Sequence, residues 1–476
     1  MSAPLEAPPS AASPAAGLPR LNRQLRPVPK APVRIVHLGL GAFHRSHQAW
    51  YTQQASDSAD WGIAAFTGRR PDAALVLAEQ DGLYTLVERA DDGDSFTVLG
   101  SIVEAVDGAD LERLTFLVAA PETAMVTLTI TEAAYGLGAD GRLDVNAHDV
   151  AADLALLGSG NGRPATPLGR LVLALAARRD ADSGPIAVVC CDNLSNNGTV
   201  ARRAVAGFAQ AWDPGFAGWI DGNVSFVSTS VDRITPRTTD RDLAAVREAC
   251  GYRDESPVVA EPFSSWVLSG DFPAGRPRWE DAGALFVEDI EPYENRKLWL
   301  LNGAHSLLAY AGQLRGHKTV AEALTDPECR RAVEAFWDEA EANLPAAVDL
   351  EVPDYRKALL ARFGNARIAH NLAQIAMDGS TKLRMRAVPV LQAERAAGRT
   401  GAGAGLMIAA WIDYSAATQS FQDPLEGDIA AANRLLGTDR IRALLAVIDP
   451  VLAGDDGVVA LVEGLCGTAG GRPAPL

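Results

Sequence analysis

Residues 33–67 read VRIVHLGLGAFHRSHQAWYTQQASDSADWGIAAFT. The stretch begins as a short β-type apolar run and passes into a glycine-rich turn. Residues 47–56 carry helical pattern, and Trp61–Thr67 forms a second apolar run. Strand, turn, helix and strand in that order open a parallel α/β fold. Gly39 and Gly41 fit a dinucleotide-binding bend: the first allows the tight turn, the second lets the backbone approach a pyrophosphate. Ala42, Phe43 and His44 begin the helix behind it, whose free N–H groups suit phosphate oxygens. His44 stands where such a turn usually has a third glycine. Two glycines after a strand also mark an ordinary strand–helix turn, so both readings stand at this point. The second strand ends Thr67-Gly68-Arg69-Arg70, without the acid that usually holds a ribose diol. Arg69 and its neighbour face either a 2′-phosphate or solvent, which leaves NAD and NADP both open. His44 and His47 lie three apart with no third ligand cluster, so no metal site is expected.

Beyond this unit, apolar β-branched runs recur at 124–131, 186–191 and 224–230, separated by helical pattern at 165–179 and 200–212. That alternation predicts an α/β fold, a Rossmann-type N-terminal domain over residues 32–288. From about Glu291 onward Ala/Leu-rich helical periodicity takes over, predicting a mostly α-helical C-terminal domain over 289–476. Residues 1–31, rich in Pro, Ala and Ser, are expected to form a disordered or extended arm. The length of 476 residues suits such a two-domain chain.

The formal net charge of −17 disfavours nucleic acid or an anionic membrane as a partner. No apolar stretch reaches the ~18 residues that span a bilayer, and the N-terminus lacks the pattern of a signal peptide. The five cysteines show no CxxC spacing, which fits reduced thiols and a cytoplasmic setting. Only five of the 43 basic residues are lysine: Lys30, Lys297, Lys318, Lys357 and Lys382. Arginine cannot replace lysine where a proton must leave near neutral pH.

One lysine lies in the segment Glu294-Asn295-Arg296-Lys297-Leu298-Trp299-Leu300-Leu301-Asn302-Gly303-Ala304-His305. At an α-helical ~100° per residue, Asn302 stands about 140° from Lys297, His305 about 80° and Glu294 about 60°. A buried helix carrying four polar groups on one arc suits alcohol oxidation. A desolvated lysine acts as general base, an amide N–H holds the developing alkoxide, and a carboxylate one turn back relays the proton outward. The competing reading is an amphipathic helix whose lysine reaches solvent. Tyr293 and Lys297 also form a YxxxK spacing, but too far beyond the glycine turn for a single compact short-chain dehydrogenase domain.

Several further stretches occur in order: IVHLGLGAFHRSHQAWYT (35–52), QDGLYTLVER (80–89), LTITEAAYG (128–136), CDNL (191–194), TSVDRITP (229–236), EPFSSWV (261–267), GRPRW (275–279) and KLWLLNGAHSLLAYAG (297–312). Together they resemble the long-chain mannitol dehydrogenase family over nearly all of residues 33–390. The resemblance implies a zinc-independent, NAD(P)-linked oxidoreductase, with NAD the usual cofactor. It implies that Lys297 is the general acid/base, that Asn193 and Asn302 form the oxyanion hole, and that His305 positions the substrate. Asp232 matches an acid on the substrate or cofactor side; the alternative is a salt bridge to a nearby arginine.

The substrate implied is a small sugar acid or polyol, on a monomer or weak oligomer. Gln374, Lys382 and Arg386 resemble the fructuronate reductase (mannonate oxidoreductase) branch, and Lys382 and Arg386, four apart, suit a substrate carboxylate. Arg384 departs from that branch, which usually has proline there. Mannitol, arabinitol or sorbitol oxidation is the alternative, and a non-enzymatic sugar- or nucleotide-binding protein is the reading from another class.

Overall fold

The computed structural model describes residues 17–470 apart from 161, 346–349, 369, 419 and 420. Residues 1–16 of the expected arm therefore lie outside the described residues. The chain divides into two compact units, one ending at Ile290 and one beginning at Glu291.

The first unit is built around β1 (Val33–Leu38), which pairs in parallel with β2 (Gly62–Phe66) on one side and β6 (Met125–Leu128) on the other. Two further strands complete the insertion after β2: β3 (Tyr84–Ala90) and β4 (Gly93–Leu99) form an antiparallel hairpin. β5 (Ile102–Val106) then extends the parallel sheet beyond β2. On the other side follow β7 (Ile186–Cys190) and β8 (Val224–Asp232), both parallel. β9 (Val258–Ala260) joins the hairpin as a three-stranded sheet, while β10 (Ser265–Ser269) and β11 (Leu285–Phe286) finish the large one. The eight-stranded order is β11-β10-β8-β7-β6-β1-β2-β5, with β10 antiparallel to β8. A strand covered by helices on both faces must be apolar throughout, and every residue of β2 and β7 is buried. The chain runs outward from β1 to β2 and β5, then returns to β6 and runs the other way. This switch point between β1 and β6 opens a crevice at the C-terminal ends of the strands.

Several expectations need correction. Residues 17–31 are not a loose arm. Leu21 is fully buried, its N–H bonds Arg253 O, and Arg253 N–H bonds Pro19 O. The Arg23 guanidinium donates to the carbonyls of Val28, Pro29, Gly100 and Ile102. Composition alone hides such a tether, because its partners are backbone atoms far along the chain. The helix expected at 47–56 is present as Gln48–Gln54, and a separate short helix, Ala42–Ser46, precedes it across a break at His47. The His47 ring bonds Ser265 O at 2.9 Å and the Gln48 amide at 3.0 Å, which draws its backbone out of helical geometry.

The second unit is helical from Glu291–Arg296 to Asp456–Leu465, with no strand among the described residues. Its centre is the helix Ala304–Leu314 against Ala402–Ala417. Both are apolar on nearly all sides, as interior helices must be. Among the described residues, no helix is long and apolar enough to cross a membrane.

One buried cation stabilises the base of the first unit. Arg178 is 1% exposed, and its guanidinium bonds six carbonyls, those of Val118, Ala120, Thr123, Ser183, Gly184 and Pro185. It ties the helix Pro167–Asp180 to the turns that lead into β6 and β7. Removing the donors leaves several buried acceptors unpaired, at ~1–3 kcal/mol each where water cannot enter. Arg178→Met is therefore expected to cost about 3 kcal/mol or more, read as a lowered thermal midpoint of the first unit.

Candidate active site

The glycine turn is held rigidly from behind. Gly39 has φ of +114°, and a Cβ there would sit 2.1 Å from Thr129 O, so only glycine fits. Phe66 O accepts the N–H groups of Gly39 and Leu40 at 3.0 and 2.9 Å. Gly41 is extended and precedes the Ala42–Ser46 helix, and a Cβ on it would meet only Gly39 O, at 3.5 Å. A backbone surface free of side chains at the end of β1 fits a pyrophosphate, with the amides of Ala42, Phe43 and His44 behind it.

The His44 side chain takes no part in that surface, so any cofactor contact from this residue is made by its backbone amide. It is fully buried and stacks on His37 of β1, with ring centroids 3.4 Å apart and planes 9° from parallel. His37 Nδ1 is 2.7 Å from Thr127 Oγ1 and its Nε2 3.0 Å from Thr129 Oγ1. Thr129 in turn donates to Gly39 O at 2.8 Å. Neither His44 nitrogen has a hydrogen-bond partner. Burial holds His37 down to about 3 and His44 well below the ordinary imidazole value, so the stacked pair is neutral. A third glycine would normally allow helix and strand to close up; here two flat rings make that contact. Arg69, at the end of β2, is exposed, as is Arg70, which lies 3.6 Å from Asp72.

Asn193 and Asp232 lie at the same C-terminal edge of the sheet. Asn193 is exposed in the loop after β7, and Asp232 is the last residue of β8. The loop is pinned by groups that the motif reading did not single out. The Asp192 carboxylate accepts the Ile130 N–H at 2.5 Å and the Tyr135 hydroxyl. Asn197 donates to Asp192 O at 2.9 Å and Thr229 O at 2.8 Å, and accepts the Thr229 N–H at 2.8 Å. The ends of β6, β7 and β8 are thus sewn together around Asn193. Burial pushes the Asp192 carboxyl up to about 7 against the pull of these donors.

In the second unit, Glu291–Arg296 is α-helical but Lys297–Gly303 is wound as a π-helix before the α-helix resumes at Ala304. The α-helical arc therefore does not apply across this segment. Bonds of i→i+5 type turn each residue through less than the α-helical ~100°. Lys297 and Asn302, five apart, consequently come nearer one face than the 140° of an α-helix. Lys297 and Asn302 are half-buried, while Glu294 and His305 are buried. The His305 ring packs against Phe363 and His370, each at 4.7 Å, and its Nε2 has no hydrogen-bond partner. Burial first, then His370, Arg362 and Arg386, hold it well below the ordinary value.

The basic helix Gly379–Arg386 divides its charges. Arg386 reaches the π-helical segment, with Nη1 3.1 Å from Asn302 O and 2.9 Å from Ser306 Oγ. Its buried Nε has no hydrogen-bond partner, and burial lowers its pKa to about 10. The residue as a whole is half-buried, and among the described residues it makes no ion pair with a carboxylate. Lys382 is placed differently from the expected carboxylate clamp. Its Nζ donates to Ile375 O at 3.0 Å and Met377 O at 2.6 Å, tying down the end of the short helix Leu372–Ile375. Gln374 is exposed on that helix. Among the described residues, no group of His, Cys, Asp or Glu is arranged to hold a metal ion.

Comparison with known proteins gives a consistent picture. Residues 33–281 match the mannitol dehydrogenase Rossmann domain, and residues 289–463 match the mannitol dehydrogenase C-terminal domain. The chain is 38% identical to the D-mannonate oxidoreductase of Escherichia coli (strain K12), covering 87% of this chain and 88% of that one. It is 37% identical to the mannitol 2-dehydrogenase of Cereibacter sphaeroides over 80% of each. The mannitol 2-dehydrogenase of Pseudomonas fluorescens, solved as a ternary complex with NAD and D-mannitol, superposes with a TM-score of 0.76. It is 33% identical, and the match covers 94% of this chain and 99% of that one.

The raised Asp192 carboxyl gives a signed pH effect. Between about pH 4 and 7 the unfolded carboxyl ionises while the folded one keeps its proton, so this group's contribution to stability falls as pH rises. Asp192→Asn removes that slope. The thermal midpoint of the variant relative to wild type is expected to rise from pH 5 to pH 8; a difference constant with pH would show that burial does not govern this carboxyl.

Proposed function

The chain belongs to the mannitol dehydrogenase family of oxidoreductases, acting on polyols or sugar acids, and from that premise we propose that its substrate is a sugar acid. The pair D-mannonate and D-fructuronate fits best. The observation that carries this reading is Arg386, a half-buried guanidinium with an enclosed, unpartnered Nε and no carboxylate partner among the described residues, next to Asn302 on the lysine-bearing helix. A partly desolvated cation lacking a counter-ion carries a cost, and a ligand carboxylate relieves it through the donor still unused. The 38% identity to a D-mannonate oxidoreductase supports the same reading.

The chemistry follows from the side chains. Lys297 takes the hydroxyl proton in oxidation and returns it in reduction, a role that suits an amine whose pKa desolvation can lower. Asn193 and Asn302 donate amide N–H bonds to the carbonyl or alkoxide oxygen, where charge develops. His305, neutral through burial, holds a neighbouring hydroxyl, and Glu294 passes the proton towards water. Asp232, Gln374 and Lys382 border the substrate side, with Lys382 acting through the chain it braces. The Gly39–Gly41 turn holds NAD or NADP, which when bound exchanges a hydride with the carbinol carbon. Arg69, exposed just beyond β2, is the proposed contact to the adenosine ribose, and the missing acid at the end of β2 leaves both cofactors in play.

A polyol substrate is the second reading. It is favoured by the engagement of the Lys382 ammonium with two backbone carbonyls, which leaves one cation rather than two for a carboxylate.

Fructuronate, tagaturonate, fructose and xylulose, each with NADH and NADPH and followed at 340 nm, separate these readings. The sugar-acid reading expects kcat/KM for a ketouronate to exceed that for fructose by about 100-fold, the value of one well-placed charged contact. A reversed ratio establishes the polyol. Lys297→Ala is expected to lower kcat by about 10²–10⁴-fold on whichever substrate is used.

A further inference from the structure

The π-helical segment Lys297–Gly303 is surrounded by features that account for its winding. A π-turn is rare and less favourable than an α-turn, and it persists where outside groups hold it. Two of its carbonyls accept bonds from side chains elsewhere in the second unit. Trp337 Nε1 donates to Leu300 O at 2.7 Å, from the helix Pro327–Asn343. Arg386 Nη1 donates to Asn302 O at 3.1 Å, from the helix Gly379–Arg386. Trp337 and the neighbouring Phe336 are both fully buried. A Cβ on Gly303 would lie 2.5 Å from Phe336 Cε1, so the glycine is what lets this helix approach closely enough for Trp337 to reach its carbonyl. The same Arg386 Nη1 also donates to Ser306 Oγ at 2.9 Å, beyond the point where α-helical winding resumes.

We propose that Trp337 and Arg386 are positioning residues that keep residues 297–303 π-wound and thereby set Lys297 and Asn302 on a common face. This rests on the reading of Lys297 as acid/base and Asn302 as oxygen-holding amide. An α-helical register would turn Asn302 away from Lys297, and neither the proton nor the developing charge would then be met from the same side. The clamp role is distinct from the carboxylate contact proposed above: the hydrogen bond of Trp337 goes to a backbone carbonyl, and Arg386 clamps through Nη1 while its Nε is left over.

Trp337→Phe, Arg386→Met and Arg386→Lys test this together. Kinetics are read on the best ketouronate and the best ketose, and hydrogen exchange is read by mass spectrometry over residues 298–306, with residues 186–190 of the other unit as internal reference. The expected result for Trp337→Phe is a fall in kcat of about tenfold or more with KM changed less than twofold, equally for acid and ketose. The pH profile of kcat should also shift on the limb assigned to Lys297. Exchange in 298–306 should rise by about tenfold, with 186–190 unchanged. Arg386→Met should lower kcat for both substrates, and Arg386→Lys, which keeps one donor, should recover part of it.

Unchanged exchange over 298–306 in both Trp337→Phe and Arg386→Met overturns the proposal, as does raised exchange with unchanged kcat. If Arg386→Met raises only the KM for ketouronates, Arg386 is a substrate anchor and not a clamp. If Trp337→Phe does not fold, the half-buried Arg386 carries the test. If wild type reduces none of the substrates, the proposed function falls, and the exchange measurement alone decides the winding.

Discussion

A helix bonded i→i+5 places different residues in line from one bonded i→i+4, and in this chain that change of winding covers Lys297–Gly303. The polar groups of this segment sit among Trp299, Leu300 and Leu301, all buried. Their direction is therefore set by the backbone and not by side-chain freedom. Arg386, Trp337 and the missing side chain of Gly303 all converge on the same seven residues. The second unit is arranged around this segment much as the first is arranged around its glycine turn. In each case main-chain geometry that few sequences adopt is held by groups from distant elements.

Buried polarity is handled in two contrasting ways. In the first, Arg178 is satisfied by six carbonyls, and Arg233 by Glu88, Ser46 O and Glu261 O. These are closed networks that do not need a ligand. In the second, side-chain atoms of both units are buried without a hydrogen-bond partner: the two His44 nitrogens and Trp266 Nε1 in the first unit, and His305 Nε2, Tyr310 OH, His370 Nδ1, Arg386 Nε and Trp411 Nε1 in the other. Unpaired donors and acceptors of this kind are uncommon in folded proteins, and those of His305 and Arg386 adjoin the lysine-bearing segment.

The strand–turn–helix–strand opening was legible because β1 and β2 are apolar at nearly every position and Gly39 is required by its backbone angle. The parallel strands β6, β7 and β8 were legible for the same reason. The small sheet was not: β4 alternates exposed and half-buried residues, so its sequence GDSFTVL reads as polar loop. Residues 17–31 were missed because their anchors are carbonyls contributed by residues up to 253. At the site, the lysine, asparagine and histidine spacing was legible as a constellation, yet the winding that relates them was not. The apolar run Leu298–Leu301 has the same composition whether α or π. The capture of Lys382 by Ile375 O and Met377 O was equally hidden, since it depends on a left-handed Asp378 with φ of 57° turning the chain back on itself.

The stacked His37 and His44 bear on how this turn can change over time. The contact between β1 and the following helix is there a pair of rings whose centroids lie 3.4 Å apart. A smaller residue at position 37 alone would leave a slot beneath the glycine turn and free Thr129 from its partner; a non-planar one at 44 alone would push the helix off the strand. The two positions therefore form a single heritable unit. Substitution at one is tolerated only alongside a matching substitution at the other, and a lineage that exchanges this pair for the glycine solution must pass through an intermediate with a loosened nucleotide turn.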